Sequence, residues 1–205
     1  MALAAPAAGA GRKRDRTRQR LLEAANRRFQ AHGYAATTAA AIAEEAGVTE
    51  RTFFRYFPSK ADVLATNWQA RRDELNHALA LSQASELVDV VGEAMHAFAE
   101  AVRIDIEAGV ESVSRVFEER EAATAAMQVL LSVEHDLAVE IAKRAGRSSE
   151  DFEVRTAAYA AVGVFRAALR AVLAVGIASY ITSLVDDGVQ RLRPLFSNID
   201  RASQR

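Results

Sequence analysis

The residues best equipped to do chemistry lie together in Gly47-Val48-Thr49-Glu50-Arg51-Thr52-Phe53-Phe54-Arg55-Tyr56-Phe57-Pro58-Ser59-Lys60. The stretch reads as a tight turn, a short helix, a Pro-marked break and the start of a further helix. Phe53 and Phe57 are four apart, so they share one face, and that face must be buried. Thr52, Arg55 and Tyr56 then point elsewhere, with Arg51 and Lys60 near the ends. A short helix anchored by an aromatic stripe and armed with a polar, basic stripe suits the DNA major groove.

Other chemistries find little support. The histidines (His32, His77, His96, His135) include no pair at ligand spacing on one helix, and Glu134-His135-Asp136 diverge around a helix rather than converge. No Gly-rich phosphate loop or nucleophile elbow is present. The sequence therefore predicts no catalytic residue, no metal site and no cofactor. Without cysteine there is no disulfide framework, which fits a cytoplasmic protein. No membrane span is expected, because Arg166 and Arg170 interrupt the most apolar run, 157–180.

The net charge of −1 over 205 residues hides an asymmetry. Residues 1–60 hold eleven Lys and Arg against five Asp and Glu, whereas the remainder holds fifteen against twenty-two. A basic N-terminal module on an acidic body is the charge pattern of a polyanion binder with a separate second domain.

Half of the chain is apolar, alanine is abundant and β-branched runs are rare, so an all-α protein of about nine helices is expected. Residues 1–13 read as a flexible basic arm, 14–60 as a helix-turn-helix DNA-binding domain, and 61–205 as a helical body entered through a long connecting helix. Leu21, Leu22, Ala25 and Phe29 form the stripe of the first helix, near 14–32. Gly33 stops it, Thr37 or Thr38 caps the second, Gly47 permits the turn, and Thr49 caps the third. Ser59 caps the fourth, with Asp62 completing a short capping box. Further helices are predicted at about 85–105, 109–120, 122–145, 150–176 and 178–196.

Gly33-Tyr34, Thr37-Thr38, Ile42-Ala43, Ala46-Gly47-Val48-Thr49 and the run Arg51–Lys60 together resemble the TetR family of transcriptional regulators. The resemblance covers roughly the first third of the chain. It implies that Phe53 and Phe57 lock the recognition helix onto the first helix. It further implies that Thr49, Arg51, Thr52, Phe54 and Arg55 face the groove, and that Thr38, Tyr56 and Lys60 touch phosphate. Two departures stand out: Phe54 replaces a frequent Tyr, and Ala39 and Ala40 replace polar or basic residues. Arg14 and its basic neighbours can compensate by touching the backbone or entering a minor groove, although a solvated charged face explains them too.

The same resemblance implies a body that binds a small-molecule effector and forms a homodimer through the last two helices. Apolar stripes offer candidate ligand contacts at Met95, Phe98 and Val102, at Leu131 and His135, and at Tyr159 and Val162. Arg166 and Arg170, four apart on an apolar helix, call for an anionic partner, either a carboxylate such as Glu100 or Glu140 or an acidic ligand, unless they simply face solvent or the dimer partner. The spelling of the recognition helix is similar to that of family members from high-GC bacteria, some of which sense long-chain acyl-CoA, and this resemblance points to a lipid-like inducer. The expected function is a repressor released from a palindromic operator by a small lipophilic or acidic ligand. An activator of the same fold, or a helical carrier or enzyme without DNA binding, is the alternative.

Overall fold

The structure is a computed structural model that describes residues 8–107 and 120–202. The described residues form nine α-helices and no strand: α1 (Ala8–His32), α2 (Ala39–Glu45), α3 (Glu50–Tyr56), α4 (Lys60–Leu81), α5 (Leu87–Glu107), α6 (Arg120–Ala145), α7 (Phe152–Val175), α8 (Ile181–Gln190) and α9 (Arg193–Ala202). The helix expected over 109–120 lies outside the described residues, except for its last position.

Two boundaries differ from expectation, each for a local reason. Helix α1 begins at Ala8 rather than near Arg14, so residues 8–13, expected in the flexible arm, continue the helix. Extending a formed helix fixes one residue per hydrogen bond, so Ala8 to Lys13 continue it even though Gly9 and Gly11 each oppose it by about 1 kcal/mol relative to alanine. The last predicted helix, 178–196, is instead a 3-10 turn (Ala178–Tyr180) followed by α8 and α9, separated at Arg191 and Leu192. Pro194 explains the break, since it lacks an N–H and is tolerated only in a helix's first turn.

The helices make two cores. Leu21, Ala25, Phe29, Ile42, Phe53, Phe57, Val63 and Leu64 are buried together in the head. Trp68, Leu75, Phe98, Val133, Leu137, Phe165, Ile181, Val185 and Phe196 are buried together in the body. Helix α4 contributes to both, and the change of core falls between Leu64 and Trp68. Ala125 of α6 also joins the head core, so the body touches the head at a second point.

Helix α7 is long and apolar enough to cross a membrane by length and composition, contrary to the reading of its sequence. Its stripe Val154, Ala157, Ala158, Ala161, Val162, Phe165, Ala168, Leu169 and Val172 is buried against the body. Arg166 and Arg170 lie exposed on the other side. The packing makes it a wall of the folded body.

Gly188 lets α8 approach α7 closely. A Cβ placed there would fall 2.3 Å from Val164 Cγ1 and 3.4 Å from its Cβ. Gly188→Ala gains up to about 1 kcal/mol of helix propensity, but overpacking costs about 1–3 kcal/mol. Thermal or urea unfolding should therefore show net destabilisation, and the double variant Val164→Ala/Gly188→Ala should recover it. A stabilised single variant would show that the two helices separate without cost.

Candidate functional site

The exposed face of α3 is positioned by what lies beneath and before it. Gly47 turns the chain with φ 66°, and Val48 N–H donates to Ala43 O at 2.9 Å. A left-handed φ costs an L-residue roughly 1–2 kcal/mol, which is why glycine occupies the turn. Thr49 then caps α3, its Oγ1 accepting from Thr52 N–H at 3.2 Å and lying 3.0 Å from Thr52 Oγ1. Phe53 and Phe57, fully buried, pack with ring centroids 5.7 Å apart, and Arg18 of α1 stacks over Phe57 at 5.4 Å.

With that face fixed inward, Thr49, Arg51, Phe54 and Arg55 are exposed, and Thr52 and Tyr56 are half-buried. Phe54 keeps 47% of its surface in solvent despite packing edge-on against Phe53, an exposure that suits contact with an apolar partner rather than core packing. Arg55 lies over the Tyr56 ring at 5.3 Å. Arg55 and Tyr56 share a cleft of about 540 Å³ with Lys13, Arg14 and Thr17 of α1. Three cations and two hydroxyl groups from two helices thus converge where a phosphate backbone would pass.

Helix α2 is set by neighbouring threonines with different jobs. Thr38 is exposed and caps α2 through Ala41 N–H at 3.1 Å. Thr37 is buried, its hydroxyl directed at Gly33 O (2.8 Å) and Arg28 O (3.2 Å). Glu45 fastens α2 to α1 by accepting from Arg27 Nε at 2.7 Å and Arg28 Nε at 2.6 Å. The Arg27 hydrogen bond, joined by Arg28 and opposed by burial, holds the Glu45 carboxyl below its usual range. A depressed carboxylate stabilises the folded state above its unfolded pKa, and the effect is lost as pH falls through the folded value.

Lys60 has partners other than those the resemblance implies. Its ammonium donates to the Tyr34 carbonyl at 2.5 Å and the Thr37 carbonyl at 3.0 Å, and sits 3.9 Å from the Tyr34 ring centroid. It ties the start of α4 to the loop between α1 and α2. The Ser59–Asp62 capping box forms as expected, with Ser59 N–H donating to Asp62 Oδ2 at 2.6 Å.

The nine residues expected to contact an effector do not line one cavity. Met95, Phe98, Val102 and Val162 are fully buried in the body core, with Phe98 edge-on to Phe165 at 4.8 Å. Leu131, His135, Tyr159, Arg166 and Arg170 are exposed. Arg166 and Arg170 border a shallow depression with Gly163 and Ala167 of their own helix. Their expected carboxylates are engaged elsewhere, Glu100 with Arg103 and Glu140 with Lys143 and Arg144. The acid that feels Arg166 is Glu134, whose carboxyl is raised by burial and lowered in part by Arg166 and Arg155.

A different arginine is buried. Arg71 of α4 has a side chain only 2% exposed, stacked 4.3 Å over Trp68. Its Nε donates to Asp105 Oδ2 at 2.7 Å, and Nη2 lies 2.5 Å from the same oxygen without hydrogen-bond geometry. Burial pulls its pKa down, and Asp105 partly restores it. The adjacent Arg72 points the other way and grips Asp136 of α6 with two bonds, at 2.5 and 2.8 Å. The sequence reading passed over both residues.

A basic, solvent-facing recognition helix on a three-helix head, joined by one long helix to an all-helical body, defines a two-domain helix-turn-helix protein. The family model for bacterial regulatory proteins of the tetR family matches residues 21–66, and that of the MftR C-terminal domain matches residues 85–197. The chain belongs to the TetR family. It is 36% identical over 76 residues to the transcriptional regulator TtgR of Pseudomonas putida, covering 37% of this chain and 36% of that protein. It is 43% identical over 75 residues to the regulator TcmR of Streptomyces glaucescens, covering 37% and 33%. These matches span about a third of either relative's length. Thermus thermophilus FadR, a repressor solved with lauroyl-CoA, shares the fold with TM-score 0.61 and 23% identity over 85% of this chain and 92% of that one. TylP of Streptomyces fradiae does so with TM-score 0.65 and 18% identity over 91% and 90%.

The two geometries predict different phenotypes. Lys60→Met removes the donor shared by the Tyr34 and Thr37 carbonyls, of which Tyr34 O also accepts from Thr37 N–H at 3.3 Å, so it should lower the head's stability by about 1–3 kcal/mol in thermal unfolding. Arg14→Ala should leave the melting temperature unchanged and reduce the salt slope of DNA binding by about one. A Lys60→Met protein of unaltered stability with weakened DNA binding would instead make Lys60 a phosphate contact.

Proposed function

We propose that the protein is a homodimeric transcriptional repressor that binds a palindromic DNA operator and is released by a small lipophilic or acidic effector. The convergence of Lys13, Arg14, Arg55 and Tyr56 on one cleft beside the exposed face of α3 carries the DNA-binding part. Arg51, Thr52, Phe54 and Arg55 read base edges, with Phe54 against a thymine methyl. Thr38, Tyr56 and Arg14 hold phosphate.

The dimer reading rests on apolar side chains left in solvent on α7, α8 and the turn between them. Val175 is 69%, Tyr180 58% and Leu184 41% exposed. A two-fold through these elements buries them against their copies and sets two heads for half-sites one DNA turn apart. Support for a lipophilic effector comes from the Thermus FadR fold neighbour and its lauroyl-CoA.

Footprinting on the DNA upstream of its own gene should reveal a palindromic protected site, and its absence there and across a genomic library would overturn the reading. Leu184→Glu should yield a monomer in light scattering with intact helicity, because the side chain faces solvent in the single chain. Its operator affinity should fall at least tenfold as the two heads lose their linkage. A Leu184→Glu protein that remains dimeric would place the two-fold elsewhere.

A further inference from the structure

A cleft of about 430 Å³ opens between α1, α4 and α5, with Arg71 in its wall. Among the described residues, Nη1 of the Arg71 guanidinium and Nε1 of Trp68 in the layer beneath are buried without a partner, and Nη2 has no hydrogen-bond partner although it lies 2.5 Å from Asp105 Oδ2. All three are donors. Buried donors in folded proteins almost always find an acceptor, so this site suits a ligand group that accepts. The unmatched nitrogens belong to a fork whose spacing fits the two oxygens of a carboxylate. The rest of the wall includes Ala70, Ala97, Ala101 and Ile104, short apolar side chains that leave room for a hydrocarbon body.

We infer that this cleft is a carboxylate-binding site in which Arg71, held over Trp68, receives the carboxylate of a small organic acid while its apolar part lies along Ala97, Ala101 and Ile104. The site extends the effector reading above by naming a place and a chemical class. It is not the pair Arg166 and Arg170, which face solvent. Three acidic residues also border the cleft: Glu100 is held by Arg103 at 2.6 Å, Asp105 by Arg71 itself, and Glu74 is exposed to solvent. Asp105 retains a third of its side-chain exposure, so water can replace Arg71 at that carboxylate when a ligand draws the guanidinium away.

The position gives an occupant leverage on the head. Asn26 of α1 and Asn67 of α4 form part of the same wall and are joined by a 2.8 Å hydrogen bond between head and connecting helix. A ligand seated on Arg71 lies against this joint.

The test uses the full-length protein and octanoate, with octylamine as the cationic counterpart, read by isothermal titration calorimetry. Octanoate should bind saturably and octylamine should not. Arg71→Met, which keeps the stacking stem and leaves Asp105 hydrated, should weaken octanoate at least tenfold. Ala101→Phe, at a half-buried position on the wall, should do the same by filling the cleft, and it keeps the test valid if Arg71→Met fails to fold. Octylamine binding in place of octanoate, or octanoate binding unchanged in a folded variant of either kind, would overturn the site. Operator binding measured in parallel separates the two readings. Arg71-dependent binding of octanoate that leaves DNA affinity unchanged would uphold the site and count against its role as the effector site. DNA release by some other molecule, with no octanoate binding, would uphold effector control and overturn the site.

Discussion

Helix α4 is one continuous rod buried in two different cores, and the relation of head to body rests on that. Val63 and Leu64 have no exposure in the head core, and Trp68, Leu75 and Leu79 are buried in the body core. A helix cannot roll about its axis without withdrawing one of these sets, since successive residues are fixed at about 100° from one another. The side-chain bonds reinforce both ends: Arg18 to Thr66 and Asn26 to Asn67 above, Arg71 to Asp105 and Arg72 to Asp136 below. Packed cores resist continuous deformation, so a displacement at the lower end is carried to the head as movement of the rod rather than absorbed.

The head was legible because its signals are local. A glycine at the turn, a threonine at each cap, and two phenylalanines four apart each state a backbone or burial requirement within a few residues. What the sequence could not show is Lys60 reaching the carbonyls of Tyr34 and Thr37, because a carbonyl belongs to every residue and carries no sequence signal. The same limit applies to Arg14, whose position beside Arg55 and Tyr56 depends on how α1 crosses α3.

The body was legible only as helices. Tyr159, Val162, Arg166 and Leu169 fit helical spacing, yet Val162 and Leu169 are buried while Tyr159 and Arg166 face out, a division that depends on which neighbour packs where. Arg71-Arg72-Asp73-Glu74 reads as a solvated charged run, and three of its members are not buried. One step of 100° places Arg71 against Trp68 and Asp105 instead. Pro194, by contrast, was a readable signal for the break between α8 and α9, and a stricter reading would have ended the helix before it.

Arg71 is hard to account for by stability alone. Removing a guanidinium from water costs several kcal/mol in effect, and one carboxylate repays this only where the remaining donors are also satisfied. Here, among the described residues, Nη1 has no partner and Nη2 meets Asp105 without hydrogen-bond geometry, and a residue such as Met or Leu at this position would fill the space beside Trp68 without that cost. The chain nevertheless holds the arginine over an aromatic ring, in the wall of a cleft near the point where the connecting helix leaves the body core for the head. An acceptor placed there would relieve the penalty of these donors at a point where α4 connects body to head.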